Sequence, residues 1–142
     1  MPGPELEYVQ LASHAEVQNG LLYVNGGGVT DLLRPPSPPG QEPIATFGIV
    51  FSVLIPWSDQ GRTYILRFRV EDQDGRSVFE GAADGSAEAR ADTLPGADLR
   101  VPLAINVAMP FPAPGAYRLV GDLDGQLKTA SFRIREAQPA AQ

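Results

Sequence analysis

The 142-residue sequence has no cysteine, and it has only one histidine and one lysine. Without cysteine it can form no disulfide, no thiolate metal site and no thiol nucleophile. The single histidine, His14, directly follows Ser13, and neighbouring residues on a strand point to opposite faces, so these two do not form a nucleophile–base pair. No nucleophile-elbow motif is present either. The sequence therefore predicts a protein that is not an enzyme and that has no cofactor.

Long apolar runs and concentrated basic charge are also missing. No stretch approaches the roughly 20 apolar residues of a membrane span, and residues 1–7 carry two acids and no base, unlike a secretory signal. These features predict a soluble, cytoplasmic protein without membrane insertion. The net charge of -6 argues against nucleic acid as a partner, because phosphate binding requires clustered lysine and arginine. Length and composition predict one domain over residues 1–136 and a disordered tail over residues 137–142.

The most ordered pattern lies in residues 44–81. Every second residue is apolar over residues 45–57 and again over residues 64–70, and the same alternation recurs over residues 99–109. A period of two places one side of each strand in a core. The pattern predicts that residues 44–81 form two or three adjacent strands, with an outer face that meets water.

Turn and proline signals divide the rest of the chain into short strands. Asn19-Gly20 and Asp124-Gly125 are typical hairpin turns. Residues 35–43 contain five prolines and predict a crossover, and Pro102 predicts an edge strand or a bulge. Residues 81–98 predict a loop, with a short helix at residues 86–91 as the alternative. Together these signals predict an all-β fold, an antiparallel β-sandwich of immunoglobulin-like or jelly-roll topology with seven to nine strands.

Five segments of the sequence resemble a bacterial, actinobacterial-type family of small single-domain β-sandwich proteins of unknown function. The resemblance extends from about Leu6 to Ile134 and is carried by residues 20–28, 53–58, 70–76, 101–106 and 114–117. A tenfold excess of arginine over lysine also suits a GC-rich bacterial genome. The resemblance implies the sandwich fold and implies no activity.

Two acidic turns are the candidates for metal binding. If both turns lie at one end of the sandwich, their carboxylates could converge on Ca²⁺, which takes six to eight oxygen ligands. Asp-Gly is also a standard hairpin turn, so turn chemistry is the competing interpretation and no metal is predicted. Trp57 with Tyr64 and Phe68 is a second candidate, an aromatic platform for a sugar, although all three follow the inward face. The acidic residues in question are Asp72, Asp74, Asp122 and Asp124.

An apolar and basic outer face is the predicted partner surface. It is formed by Val50, Leu54, Ile65, Arg67 and Arg69. The sequence predicts a non-enzymatic protein-interaction module that associates with itself or serves as a small accessory subunit of a larger bacterial assembly. The alternative is a ligand-binding β-sandwich that holds a carbohydrate or Ca²⁺ at its loop ends.

Overall fold

The computed structural model of the chain describes residues 3–41, 43–89, 91 and 93–136. Within these residues the fold is all-β, with nine strands and one 3₁₀ turn at Trp57–Asp59. The loop predicted over residues 81–98 is wrong for residues 81–85, which belong to a strand, and the alternative helix at residues 86–91 is absent from residues 86–89. The predicted tail lies outside the described residues. The strands are β1 (Glu5–Gln18), β2 (Leu21–Gly27), β3 (Asp31–Arg34), β4 (Ile44–Ile55), β5 (Tyr64–Asp72), β6 (Ser77–Gly85), β7 (Leu99–Pro110), β8 (Gly115–Leu123) and β9 (Gln126–Glu136).

Two sheets pack face to face. The first sheet has the order β2-β1-β4-β7 and the second has the order β3-β9-β8-β5-β6. All neighbours are antiparallel except β3 and β9, which run parallel. Both predicted hairpins are confirmed, and the φ angles of Asn19 and Asp124, 52° and 51°, are the positive values that these two-residue turns require.

The stretch at residues 44–81 does not form one run of adjacent strands. β4 belongs to the first sheet, whereas β5 and β6 belong to the second. The 3₁₀ turn and the residues after it carry the chain from one sheet to the other. The alternating apolar residues of both halves nevertheless face each other in one core, where the rings of Phe51 and Phe68 lie 5.5 Å apart.

A second, smaller apolar cluster lies on the outer side of the first sheet. β1 pairs with β4 only as far as Ala12, opposite Gly48, and then continues with β2 across the outer face. The first sheet is thereby curled into a half-barrel. Its interior contains Ala12, Ala15 and Val50, all fully buried, with Leu22 and Val24 of β2 packed against them. The prediction that this face of β4 meets water is therefore wrong.

Candidate functional site

The free edges of the two sheets are the most informative surface of this fold. A sheet edge presents unpaired backbone N–H and C=O groups. Natural proteins protect such edges from unwanted pairing with charged residues, with proline or by keeping the edge strand short. Two of the four edge strands follow this rule. β3 has only four residues, and β6 carries Glu80 and Asp84 on its outer face. β2 is uncharged, has seven residues and ends in two glycines.

β7 is the longest edge strand, and the seven residues between its two prolines carry no charge. It has twelve residues, and in the described part of the chain it pairs with β4 alone. Arg100, near its first residue, is its one charged side chain. On the inner face a row of apolar side chains packs against the core but is only half-buried; the row consists of Val101, Leu103, Ile105 and Val107.

The two prolines of β7 indicate which backbone groups are free. Proline has no N–H, so within a sheet it is tolerated where its nitrogen faces away from the neighbouring strand. Pro102 lies opposite Ser52 of β4 in the ladder, so its nitrogen is expected to face the free edge. N–H groups alternate in direction along a strand, so those of Ala104, Asn106 and Ala108 face the same way as Pro102. Pro110 has the same parity and ends the strand.

Two side-chain clusters hold the outer face of the first sheet together around β7. Glu7 of β1 accepts hydrogen bonds from Nε and Nη2 of Arg100, at 2.9 and 2.8 Å, and from the hydroxyl of buried Ser52, at 2.7 Å. These bonds lower the pKa of Glu7, with that to Arg100 the largest cause and that to Ser52 the next. Glu7 thus connects β1, β4 and β7.

The second cluster is formed by Asn106 and the backbone of β1. Asn106 Nδ2 donates to the carbonyl of Ala15 at 2.7 Å, and the amide of Ala15 donates to Oδ1 at 3.1 Å. β1 has already left β4 at this point, so a side chain of β7 replaces the missing strand partner. Sequence reasoning missed both Glu7 and Asn106. The feature of the sequence that could have drawn attention to this region is the near absence of charged residues along β7.

The five residues predicted as a partner surface do not lie together. Val50 and Leu54 belong to the outer face of the first sheet, whereas Ile65, Arg67 and Arg69 belong to that of the second, on the opposite side of the sandwich. Val50 is also fully buried beneath the β1–β2 hairpin.

The outer face of the second sheet is organised around a buried carboxylate. Glu71 is 7% exposed and accepts a hydrogen bond from Arg118 on β8 and another from Arg69 on its own strand, each at 2.7 Å. These two bonds lower the pKa of Glu71; the bond from Arg118 is the largest cause and the bond from Arg69 is the next. Arg69 is thus engaged within the sheet. Arg67 makes no ion pair with the described residues and lines a shallow groove of about 490 Å³ with Glu80, Ala82 and Asp122.

The two acidic turns lie at opposite ends of the β5–β8 pair. Asp72 lies opposite Tyr117, whereas Asp122 lies opposite Arg67 near the other end. Each turn uses its carboxylate locally: Oδ1 of Asp72 accepts from the amides of Asp74 and Arg76, and Oδ1 of Asp122 accepts from the amide of Gly125. The four residues therefore do not converge, and no group of three or more candidate metal ligands occurs among the described residues.

The remaining candidates are separated as well. His14 is exposed on β1, opposite Asn25 of β2. Tyr64 and Phe68 are buried at 3% and 6% exposure, and each covers a glycine of β6 on the inner face. They therefore do not join the half-buried Trp57 in a surface platform for a sugar.

A family model matches the chain over residues 7–135, and its description is a family of unknown function, DUF6941. The chain belongs to this family. The match covers nearly the whole sandwich and agrees with the extent of the resemblance noted in the sequence. No curated protein matches the chain. The described residues form no helix that is long and apolar enough to cross a membrane.

Proposed function

We propose that this domain is a non-enzymatic protein-interaction module whose free β7 edge accepts an additional β-strand. The observation that carries the proposal is a twelve-residue edge strand with a single charged side chain and a half-buried apolar row along its inner face. Strand addition uses main-chain hydrogen bonds for affinity and alternate side chains for specificity. β7 offers both.

The anchoring of β7 supports this function. An added strand gains most from an edge that is already ordered, because less conformational entropy is lost on binding. Ladder pairing with β4 runs the full length of β7, and Arg100 and Asn106 hold its outer face to β1. These contacts hold β7 in the extended conformation that an added strand needs.

We also propose a role for the domain in the cell. It would be a small accessory subunit of a cytoplasmic bacterial assembly, or a subunit that associates with itself. We further propose that its strand connections follow an immunoglobulin-like or jelly-roll topology. The two packed sheets support the sandwich part of this proposal.

The test is an edge-blocking substitution with a matched control. Ala108 is exposed, and its N–H faces the free edge, so Ala108→Pro removes a donor that β4 does not use. Ala108→Ser keeps the donor and is the control. Cross-linked complexes captured with each form are compared by mass spectrometry. Partners that persist with serine and disappear with proline are expected, and the same partners with both forms would reject the proposal.

A second candidate function is binding of a small polar ligand, such as a sugar, in the Arg67 groove. The unpaired guanidinium of Arg67 supplies donors there, and the carboxylates of Glu80 and Asp122 supply acceptors. A ligand at 100 times its dissociation constant stabilises a protein by about 2.7 kcal/mol. A melting-temperature scan against acidic and neutral sugars, with Arg67→Gln as the control, tests it. Equal melting temperatures across the panel exclude this function. Ca²⁺ has no such support, because the acidic turns lie apart.

A further inference from the structure

The sequence of β7 is nearly symmetric about Asn106. Pro102 and Pro110 lie four residues before and four residues after it, and the seven residues between them contain no proline and no charge. Because the two prolines lie at equal distances from Asn106, the strand can form an antiparallel pair with an identical strand about a two-fold axis through Asn106. We propose that the occupant of the β7 edge is a second copy of this chain, joined in this register. This inference rests on the proposed function of the edge.

The register follows from the prolines. With the axis at Asn106, each Pro102 lies opposite Pro110 of the second copy, so neither proline interrupts the ladder. The donors that face the free edge, at Ala104, Asn106 and Ala108, then meet carbonyls of the same three positions in the other copy. This gives about six backbone hydrogen bonds between the two chains, two for each facing pair.

The side chains agree with the same register. Residues directly opposite in an antiparallel pair share a face. On the inner face Leu103 lies opposite Met109 and Ile105 opposite Val107 of the other copy, so the half-buried apolar row gains cover. On the outer face Ala104 lies opposite Ala108 of the other copy, with Asn106 at the axis, and Ala104 also packs against the cluster of Ala12, Ala15 and Val50 in its own chain. Every facing pair is uncharged.

Charge also distinguishes β7 from the other long edge. Each copy has a net charge of -6, so a self-association surface must keep acids apart. In the β7 register the two Arg100 side chains are about twelve residues apart along the ladder, roughly 40 Å, far beyond the screening length of about 8 Å. Pairing β6 with itself would bring Glu80 and Asp84 of both copies within a few residues of each other. β7 is therefore the edge that two copies can share.

The oligomeric state is the first test. Sedimentation over a range of concentrations should show conversion from 15.2 kDa to twice that mass for the wild type and for Ala108→Ser, and a monomer for Ala108→Pro. A wild type that stays at 15.2 kDa at the highest concentration overturns the proposal. So does Ala108→Pro that dimerises as readily as Ala108→Ser.

Single cysteines test the register, since the natural chain has none. Ala104 of one copy faces Ala108 of the other, so tagged Ala104→Cys mixed with untagged Ala108→Cys should give a disulfide-linked band of intermediate mass after mild oxidation. Each variant alone should give none, because the two identical positions lie about 14 Å apart, beyond disulfide reach. A band from Ala108→Cys alone, or none from the mixture, rejects this register.

The outcomes separate this inference from the proposed function. A monomeric wild type whose captured partners are lost with Ala108→Pro and kept with Ala108→Ser leaves the edge function intact and removes the second copy as its occupant. A monomer with the same captured partners in both variants rejects both.

Discussion

The side chain of Asn106 forms two hydrogen bonds with the backbone of Ala15, a residue 91 positions earlier in the chain. These bonds satisfy the amide and the carbonyl of Ala15 at the point where β1 has left β4. They therefore hold the β1–β2 hairpin over the outer face of the first sheet, and they hold β7 in position at the same time.

Replacing Asn106 should loosen the hairpin before it unfolds the sandwich. Asn106→Ala removes both bonds and leaves the backbone groups of Ala15 without partners, at a cost of about 1–3 kcal/mol. Chemical denaturation measures this loss, and hydrogen exchange at the Ala15 amide should accelerate more than exchange in the second sheet. Asn25→Ala, on exposed β2, is the control and should leave both quantities unchanged. If hydrogen exchange accelerated equally in both sheets, Asn106 would not be a local anchor of the β1–β2 hairpin.

Gly48 lies beneath the same crossing. A Cβ at this position would approach the amide nitrogen of Ala15 to 3.2 Å and the carbonyl carbon of His14 to 3.3 Å, both backbone atoms. Gly48→Ala should therefore push β1 away from β4 and lower the free energy of unfolding by about 1–3 kcal/mol. Thr46→Ala, exposed on the same strand, is the matched control. Equal unfolding midpoints for the two variants would show that the crossing has room for a methyl group.

Gly48 and Val50 also show which part of this fold the sequence could predict. Most strand positions, the inward faces of β4, β5 and β7 and both hairpin turns follow from local alternation and turn chemistry, and the structure confirms them; the exceptions are the end of β6, which continues to Gly85, and Trp57, which lies in a 3₁₀ turn. Burial on the outer face of β4 depends on β1 crossing it, which is a contact between distant segments. Local patterns do not specify such a contact, so Val50 was predicted to be exposed. The separation of β4 from β5 into two sheets was missed for the same reason.

The candidate site shows the same division. The single charge and the alternation of β7 are visible in the sequence, and Pro102 correctly predicted an edge strand. Whether that edge is covered depends on the strand order, which the sequence does not supply. The partner surface was placed instead on apolar and basic outer residues, and the structure divides those between two opposite faces.

Gly81 on β6 accommodates the ring of Phe68, which lies directly opposite it on β5. A Cβ on Gly81 would lie 2.8 Å from Cε2 of that ring and closer still to Cζ. Gly81→Ala should destabilise the protein by about 1–3 kcal/mol, and the cost should fall in a Phe68→Leu background, because the smaller side chain leaves room. A double-mutant cycle from urea unfolding measures this coupling. Additive effects would show that the ring and the glycine are independent.

The two arginines that bind Glu71 make part of the stability dependent on pH. Because the pKa of Glu71 is lowered in the folded protein, its ionised form contributes stability above the unfolded value of about 4.3, and that contribution is lost as the pH falls through the folded pKa. Glu71→Gln should cost about 1–2 kcal/mol at pH 7, a modest value because both arginines are partly exposed. The difference from wild type should shrink below about pH 4.5 and disappear at lower pH. Urea unfolding from pH 7 to pH 2.5 measures it, with Glu16→Gln, an exposed acid of β1, as the control. If the difference in free energy of unfolding stays constant across this range, glutamine destabilises the protein because it packs poorly and not because it lacks the charge.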